Sequence, residues 1–169
     1  MNISQNCIDL VKHYEGCRLR AYADPKTGSS PFTVGWGATG EGIDHATCWS
    51  QPQADARLLA DLASRVSDAN QAIKVPVSQG QFDGFVSILF NVGHGSPVRD
   101  GIVRLKSSYP STLLRLLNGY QYQAARDQFI RWCSPGTSVT NGLRKRRRAE
   151  QALWDGLPAA AAIVIGESE

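Results

Sequence analysis

The sequence predicts an α+β protein with a small N-terminal lobe of β-hairpins, a long connecting helix, a mainly helical C-terminal lobe and a cleft between the lobes. Three observations carry this expectation. Apolar residues at helical spacing open the chain and dominate it after residue 50. Between these regions, residues 19–39 fall into short alternating stretches. They are broken by Asp24-Pro25, Thr27-Gly28-Ser29-Ser30-Pro31, Gly35 and Gly37, the punctuation of hairpins. Finally, two Ser-x-x-Gln boxes, at Ser50 and Ser78, mark helix starts. A chain of 169 residues can build one real core, or two small lobes sharing a helix.

Taken in order, Cys7, Ile8, Val11 and Tyr14 repeat at helical spacing, with Ser4 as N-cap and Gly16 as the stop. After the glycine-rich hairpins, Ser50-Gln51-Pro52-Gln53 combines a capping box with proline in the first turn. Behind it Leu58, Leu62, Val66, Ala69 and Ile73 mark one face of a long helix that ends before Val75-Pro76. Ser78 with Gln81 repeats the box. Phe82, Phe85, Val86, Leu89 and Phe90 then give the strongest helical stripe in the chain. Shorter helical pieces are expected around Val98 to Ser107, Ser111 to Asn118 and Gln121 to Trp132, and a last helix around Leu143 to Trp154. There are no internal repeats. The expected organisation is one domain over 1–158, with its N-terminal lobe at about 15–50 and its helical lobe at about 76–156. A short tail, 159–169, follows.

Composition narrows the class of function. Hydrophobic residues at 42% and charged residues at 20% describe an ordinary globular protein, not a disordered one. The net charge of +3 is mild but uneven, because Arg144-Lys145-Arg146-Arg147-Arg148 is unbroken and the chain closes on Glu167 and Glu169. A basic surface suits an anionic polymer, whether nucleic acid or a bacterial wall. On a helix, five successive residues point nearly all round, so a solvated face with some packed alkyl stems is the plain expectation. Without interleaved aromatics or a recognised motif, nucleic acid is not an expected partner. Residues 1–6 lack a basic and an apolar region, so no secretory signal is expected. The seven apolar residues Ala159 to Ile165 fall short of the roughly 20 that a membrane-spanning helix needs, so no anchor is expected either. Cys7, Cys17, Cys48 and Cys133 show no CxxC spacing, and His13, His45 and His94 are scattered, which disfavours a metal site. Cys7 and Cys17 flank one helix, roughly 15 Å apart at the helical rise and too far for a bridge; free thiols are expected, with a disulfide between the other pairs as the alternative.

The residues that carry chemistry are Glu15, Asp24 and Thr33. Glu15 closes the first helix, at the negative end of the helix dipole, and is the candidate general acid. Asp24 lies on the following turn and Thr33 on the returning strand. Singly, these residues are a solvated helix-end glutamate, a turn former and a strand residue. Two carboxyl groups flanking a cleft, with a hydroxyl to hold water, are what hydrolysis of a glycosidic bond requires. Together they are specific.

Glu15, Asp24 and Thr33-Val34-Gly35-Trp36-Gly37 resemble the catalytic segment of phage-type (T-even-like) lysozymes, the endolysins of glycoside hydrolase family 24. Further blocks follow in the family's order: Phe85-Val86-Ser87-Ile88-Leu89-Phe90-Asn91-Val92-Gly93, Ser111-Thr112-Leu113-Leu114 with Leu117-Asn118-Gly119, Phe129-Ile130-Arg131-Trp132, and Gly142-Leu143 with Arg146-Arg147-x-x-Glu150. The resemblance covers roughly residues 3 to 156. It implies a lysozyme-like fold and a muramidase that cuts the β-1,4 bond between N-acetylmuramic acid and N-acetylglucosamine in bacterial peptidoglycan. Glu15 would protonate the glycosidic oxygen, Asp24 would stabilise positive charge on the sugar and help hold the attacking water, and Thr33 would position that water. Inversion is then expected, with the carboxyls roughly 6.5–9.5 Å apart; a nucleophilic Asp24 with retention is the alternative. The resemblance also implies no cofactor, a monomer, and accumulation in the host cytoplasm until a holin lets the enzyme reach the periplasmic wall. Arg146 is the arginine matched to one that lies near the catalytic glutamate in the family. Two departures stand out. The stretch Lys26 to Phe32 is longer than in the T-even type, and Ala38 stands where many relatives have histidine. The rival expectations are a lytic transglycosylase, a non-catalytic peptidoglycan- or nucleic-acid-binding domain, and a lysozyme module of a virion.

Overall fold

A computed structural model of the chain describes residues 1–23, 28–133 and 139–168. Its elements are α1 (Gln5–Glu15), β1 (Arg18–Ala23), β2 (Phe32–Gly35), α2 (Gln51–Ala72), α3 (Gln79–Val92), α4 (Thr112–Asn118), α5 (Tyr122–Asp127), a 3-10 turn (Phe129–Trp132), α6 (Val139–Trp154) and α7 (Ala159–Glu167). This is the expected α+β class. Among the described residues the sheet has two strands. The chain divides into two compact units, one of Lys12–Ser64 and one of Met1–Val11 with Arg65–Glu169.

The Lys12–Ser64 unit is built around the hairpin. β1 and β2 run antiparallel, pairing Arg18 with Gly35, Tyr22 with Thr33 and Ala23 with Phe32, with an irregularity between Arg18 and Tyr22. The other edge of β1 is covered by residues 47–49: Ala21 N–H reaches the Thr47 carbonyl (2.9 Å) and Trp49 N–H the Leu19 carbonyl (2.8 Å). Among the unit's described residues, Val34, Ala38, Ala54, Leu58 and Leu62 are buried. The capping box at the start of α2 forms as expected. Ser50 N–H donates to Gln53 Oε1 (2.8 Å) and Gln53 N–H to Ser50 Oγ (3.4 Å), which satisfies donors the helix cannot reach internally.

The second unit is helical. In α1 the buried residues are Cys7, Leu10 and Val11, while Ile8 and Tyr14 are only half-buried. The inward face is thus turned from the expected stripe towards Leu10. Ser4 is fixed to Asp83 of α3, its N–H donating to Oδ1 (3.0 Å) and its hydroxyl to Oδ2 (2.5 Å). α3 starts on the predicted Ser78–Gln81 capping box and buries Phe82 through Leu89. α6 lies against α3, against the 3-10 turn and against α7. The contact with α3 depends on two glycines one turn apart. A methyl on Gly80 would stand 2.5 Å from the Leu153 carbonyl oxygen, and one on Gly84 would stand 3.1 Å from that of Glu150.

Three expectations are corrected here. Residues 98–107 form no helix. The chain folds back on itself, with Ile102 N–H on the Gly93 carbonyl (3.0 Å) and Arg104 N–H on that of His94 (2.9 Å). The backbones of Gly95 and Gly101 approach so closely that a Cβ on Gly101 would lie 2.2 Å from the Gly95 nitrogen. The last predicted helix begins at Val139, before the expected Leu143, and residues 159–167 form the further helix α7, which buries Ala159 and Ala162. The basic run is not one solvated face. Arg144 is exposed and Lys145 bridges to Glu167 (2.8 Å), but Arg146 and Arg147 are 3% and 0% exposed. They converge on Glu150, itself fully buried. Arg146 Nε lies 3.1 Å from Glu150 Oε1, and an Arg147 terminal nitrogen lies 2.7 Å from Oε2. Ser87 Oγ donates to Glu150 Oε1 (2.8 Å), and Arg147 donates to Asn91 Oδ1.

Candidate active site

Glu15 is the last residue of α1 and is half-buried. The helix stops there because Gly16 takes a left-handed conformation (φ +66°), while its N–H still reaches the Lys12 carbonyl (3.2 Å). Thr33 sits on β2 opposite Tyr22, one residue before a tight turn. That turn, Val34-Gly35-Trp36-Gly37-Ala38, is closed by reciprocal Val34–Ala38 backbone bonds of 2.9 Å each. It needs both glycines, at φ +65° and +94°. The two glycines also make room for neighbours. A Cβ on Gly35 would press on the Trp49 ring (3.1 Å) and Ala54 (3.2 Å), and one on Gly37 would stand 3.6 Å from Glu15 Oε2.

The structure therefore brings the Glu15 carboxyl up to the glycine turn that follows Thr33, within one unit. Asp24 lies outside the described residues. Arg146 belongs to the other unit, where its Nε donates to Glu150. Ala38 is buried and serves the turn through its backbone.

Sequence reasoning missed Asp55, in the second turn of α2. Its Oδ1 accepts from Trp36 Nε1 (2.7 Å), from Lys12 Nζ (3.0 Å) and from Gln51 Nε2 (2.9 Å). The Trp36 bond, followed by those of Lys12 and Gln51, holds this carboxyl below its ordinary range. Lys12 also stands over the Trp36 ring, 5.2 Å from its centroid. The Gln51/Asp55 spacing was visible as an i, i+4 pair, but Trp36 and Lys12 are distant in sequence. Trp36, expected as a core or cleft-wall residue, is half-buried and held by its N–H.

The phage lysozyme family model matches residues 12–150. The chain belongs to the phage lysozyme family. Among curated relatives, the endolysin of Bacillus phage B103 is 38% identical over 91% of this chain, and the chain spans about half (54%) of that protein's length. Solved structures that share the fold of this phage lysozyme family member include two at 28% identity. One is the endolysin from Escherichia coli O157:H7 phage FAHEc1, with a TM-score of 0.75 at 28% identity, covering 94% of this chain and 96% of that one. The other is the muramidase domain of SpmX from Asticaccaulis excentricus, with a TM-score of 0.72 at 28% identity, covering 90% and 97%. The family match spans Glu15, Thr33 and the whole glycine turn. Among the described residues, no helix is long and apolar enough to cross a membrane.

Proposed function

We propose that this chain is an endolysin, a muramidase that hydrolyses the β-1,4 bond between N-acetylmuramic acid and N-acetylglucosamine in bacterial peptidoglycan and so lyses the host cell. The observation that carries the reading is the Glu15 carboxyl beside Gly37, in the turn that follows Thr33, inside a phage lysozyme domain. The names of the similar proteins, endolysins and a muramidase domain, support the same reaction class. Glu15 donates its proton to the glycosidic oxygen as the bond to the sugar breaks. Asp24 stabilises the positive charge that develops on the ring and, with Thr33, holds the water that attacks from the opposite face. No cofactor takes part. The enzyme acts as a monomer. It waits in the host cytoplasm and reaches the wall through a holin lesion in the inner membrane.

The test is digestion of purified Gram-negative peptidoglycan by the wild type and by Glu15→Gln, with the fragments identified by mass spectrometry. Reducing-end N-acetylmuramic acid from the wild type alone is the expected result. Ends carrying 1,6-anhydro-N-acetylmuramic acid would make the protein a lytic transglycosylase and remove the water-holding role from Asp24 and Thr33. Binding without cleavage by either protein would make it a peptidoglycan-binding domain.

A further inference from the structure

Three strands of structure meet at one carboxylate oxygen. Asp55 Oδ1 takes a hydrogen bond from the indole of Trp36, in the middle of the glycine turn, a second from Lys12, in the last turn of α1, and a third from Gln51, at the start of α2. The turn is held at one end by the reciprocal Val34–Ala38 bonds and by the pairing of Gly35 with Arg18. Two of its five residues are glycines, whose backbones are the most permissive. The residue before Asp55, Ala54, forms part of the wall against which Gly35 packs. Glu15 is one helical turn beyond Lys12, and its carboxyl faces Gly37, the neighbour of Trp36. One side chain thus ties the segment that ends in Glu15 to the turn that the Glu15 carboxyl approaches.

We propose that Asp55 is a positioning residue for the acid: through Trp36 and Lys12 it sets the distance between the Glu15 carboxyl and the glycine turn that follows Thr33. The proposal rests on the muramidase reading of Glu15. An ordinary helix-surface aspartate would accept from one neighbour on its own helix. Asp55 does this with Gln51, and also collects the Trp36 indole, which has a single N–H to give. Charge-assisted bonds of this kind fix geometry as well as adding energy. A catalytic group displaced by about 1 Å can cost a large factor in turnover while leaving substrate binding nearly intact.

The experiment measures kcat and KM on soluble, uncross-linked peptidoglycan strands for the wild type, Asp55→Ala, Asp55→Asn, Trp36→Phe and the double variant Asp55→Ala/Trp36→Phe. The Trp36 indole N–H is followed by NMR in each protein that retains it. Asp55→Ala and Trp36→Phe should each lower kcat about tenfold with KM within about twofold, and the double variant should fall no further than the worse single one. Asp55→Asn keeps an oxygen acceptor for the indole and should recover part of the loss. The indole N–H should exchange faster with solvent in Asp55→Ala. A folded Asp55→Ala enzyme with wild-type kcat overturns the proposal. So does a loss of activity that only tracks the folded fraction, or a double variant whose losses multiply. A wild type that releases no fragments would instead overturn the muramidase reading; the indole signal would still report whether the Asp55–Trp36 bond exists.

Discussion

Replacing Glu150 by leucine removes the anion that two buried arginines share. In the native protein Glu150 is fully buried and engages Arg146 (3.1 Å), Arg147 (2.7 Å) and the Ser87 hydroxyl (2.8 Å). Removing one member of a buried ion pair costs about 3–5 kcal/mol, because a desolvated charge loses its counterpart. Orphaning the Ser87 hydroxyl adds about 1–3 kcal/mol, whereas burying the leucine side chain returns about 1.5–3 kcal/mol. These last two offset each other. The net loss should be about 3–5 kcal/mol, a large share of the roughly 5–15 kcal/mol that holds a domain folded. At about 2–4 °C per kcal/mol for a chain of this size, Tm should drop by about 6–20 °C. Urea unfolding followed by tryptophan fluorescence measures the change directly. The triple variant Arg146→Met/Arg147→Leu/Glu150→Leu removes the charges as well as their partner. It should be more stable than Glu150→Leu alone. A single-variant loss below about 1 kcal/mol would refute the reasoning, because the cluster would then contribute no more than an exposed pair does.

Other consequences are equally direct. Gly80→Ala should lower stability by about 1–3 kcal/mol, as the new methyl meets the Leu153 carbonyl at 2.5 Å and forces α3 and α6 apart. Gly84→Ala meets Glu150 at 3.1 Å and should cost less, because the helix preference of alanine offsets up to about 1 kcal/mol; thermal melts of both variants check the order. Asp55 is held below its ordinary value of 3.8, so its contribution is complete above that pH and disappears as pH falls through the lower folded value. Acid titrations of stability should therefore show a shallower acid limb for Asp55→Asn, and an unchanged limb would contradict the bonds to Trp36 and Lys12. Burial pushes the Cys7 thiol well above its ordinary 9.0, with the nearby Asp83 and Glu150 carboxylates acting in the same direction. Mass-spectrometric mapping after iodoacetamide treatment at pH 8 should find Cys48, which is exposed, modified first and Cys7 protected until the protein unfolds.

How far the sequence discloses the structure depends on how local each cause is. The starts of α2 and α3 were legible because a Ser-x-x-Gln box satisfies the helix's own first donors and needs no distant partner. The fold-back of residues 93–104 was not, because Gly95 and Gly101 meet only in the folded chain, while Val98, Ile102 and Leu105, at i, i+4 and i+7, imitate a helical spacing. α7 is apolar on nearly every side, so periodicity says nothing about it, and its buried alanines are set by packing against α6. The basic run showed its charges but not its burial. Glu150 was nearby in sequence, whereas Ser87 and Asn91 lie 63 and 56 residues away from their partners. In the candidate site, the end of α1 at Glu15 and the turn after Thr33 were readable from Gly16, Gly35 and Gly37, whose left-handed backbones stop the helix and close the turn. Asp55 was hidden, since an aspartate on a helix is ordinary until Trp36 arrives.

The clamp between Ser4 and Asp83 has a consequence for synthesis. The buried face of α1, Cys7, Leu10 and Val11, belongs to the unit formed with residues from Arg65 onward, and Ser4 is 79 residues ahead of the aspartate that holds it. At about 5–20 residues per second on the ribosome, that aspartate is added roughly 4–16 s later. For those seconds the first helix leaves the tunnel with a greasy stripe and nowhere to put it, a natural target for nascent-chain chaperones. The Lys12–Ser64 segment, by contrast, is contiguous and can close as soon as it is made.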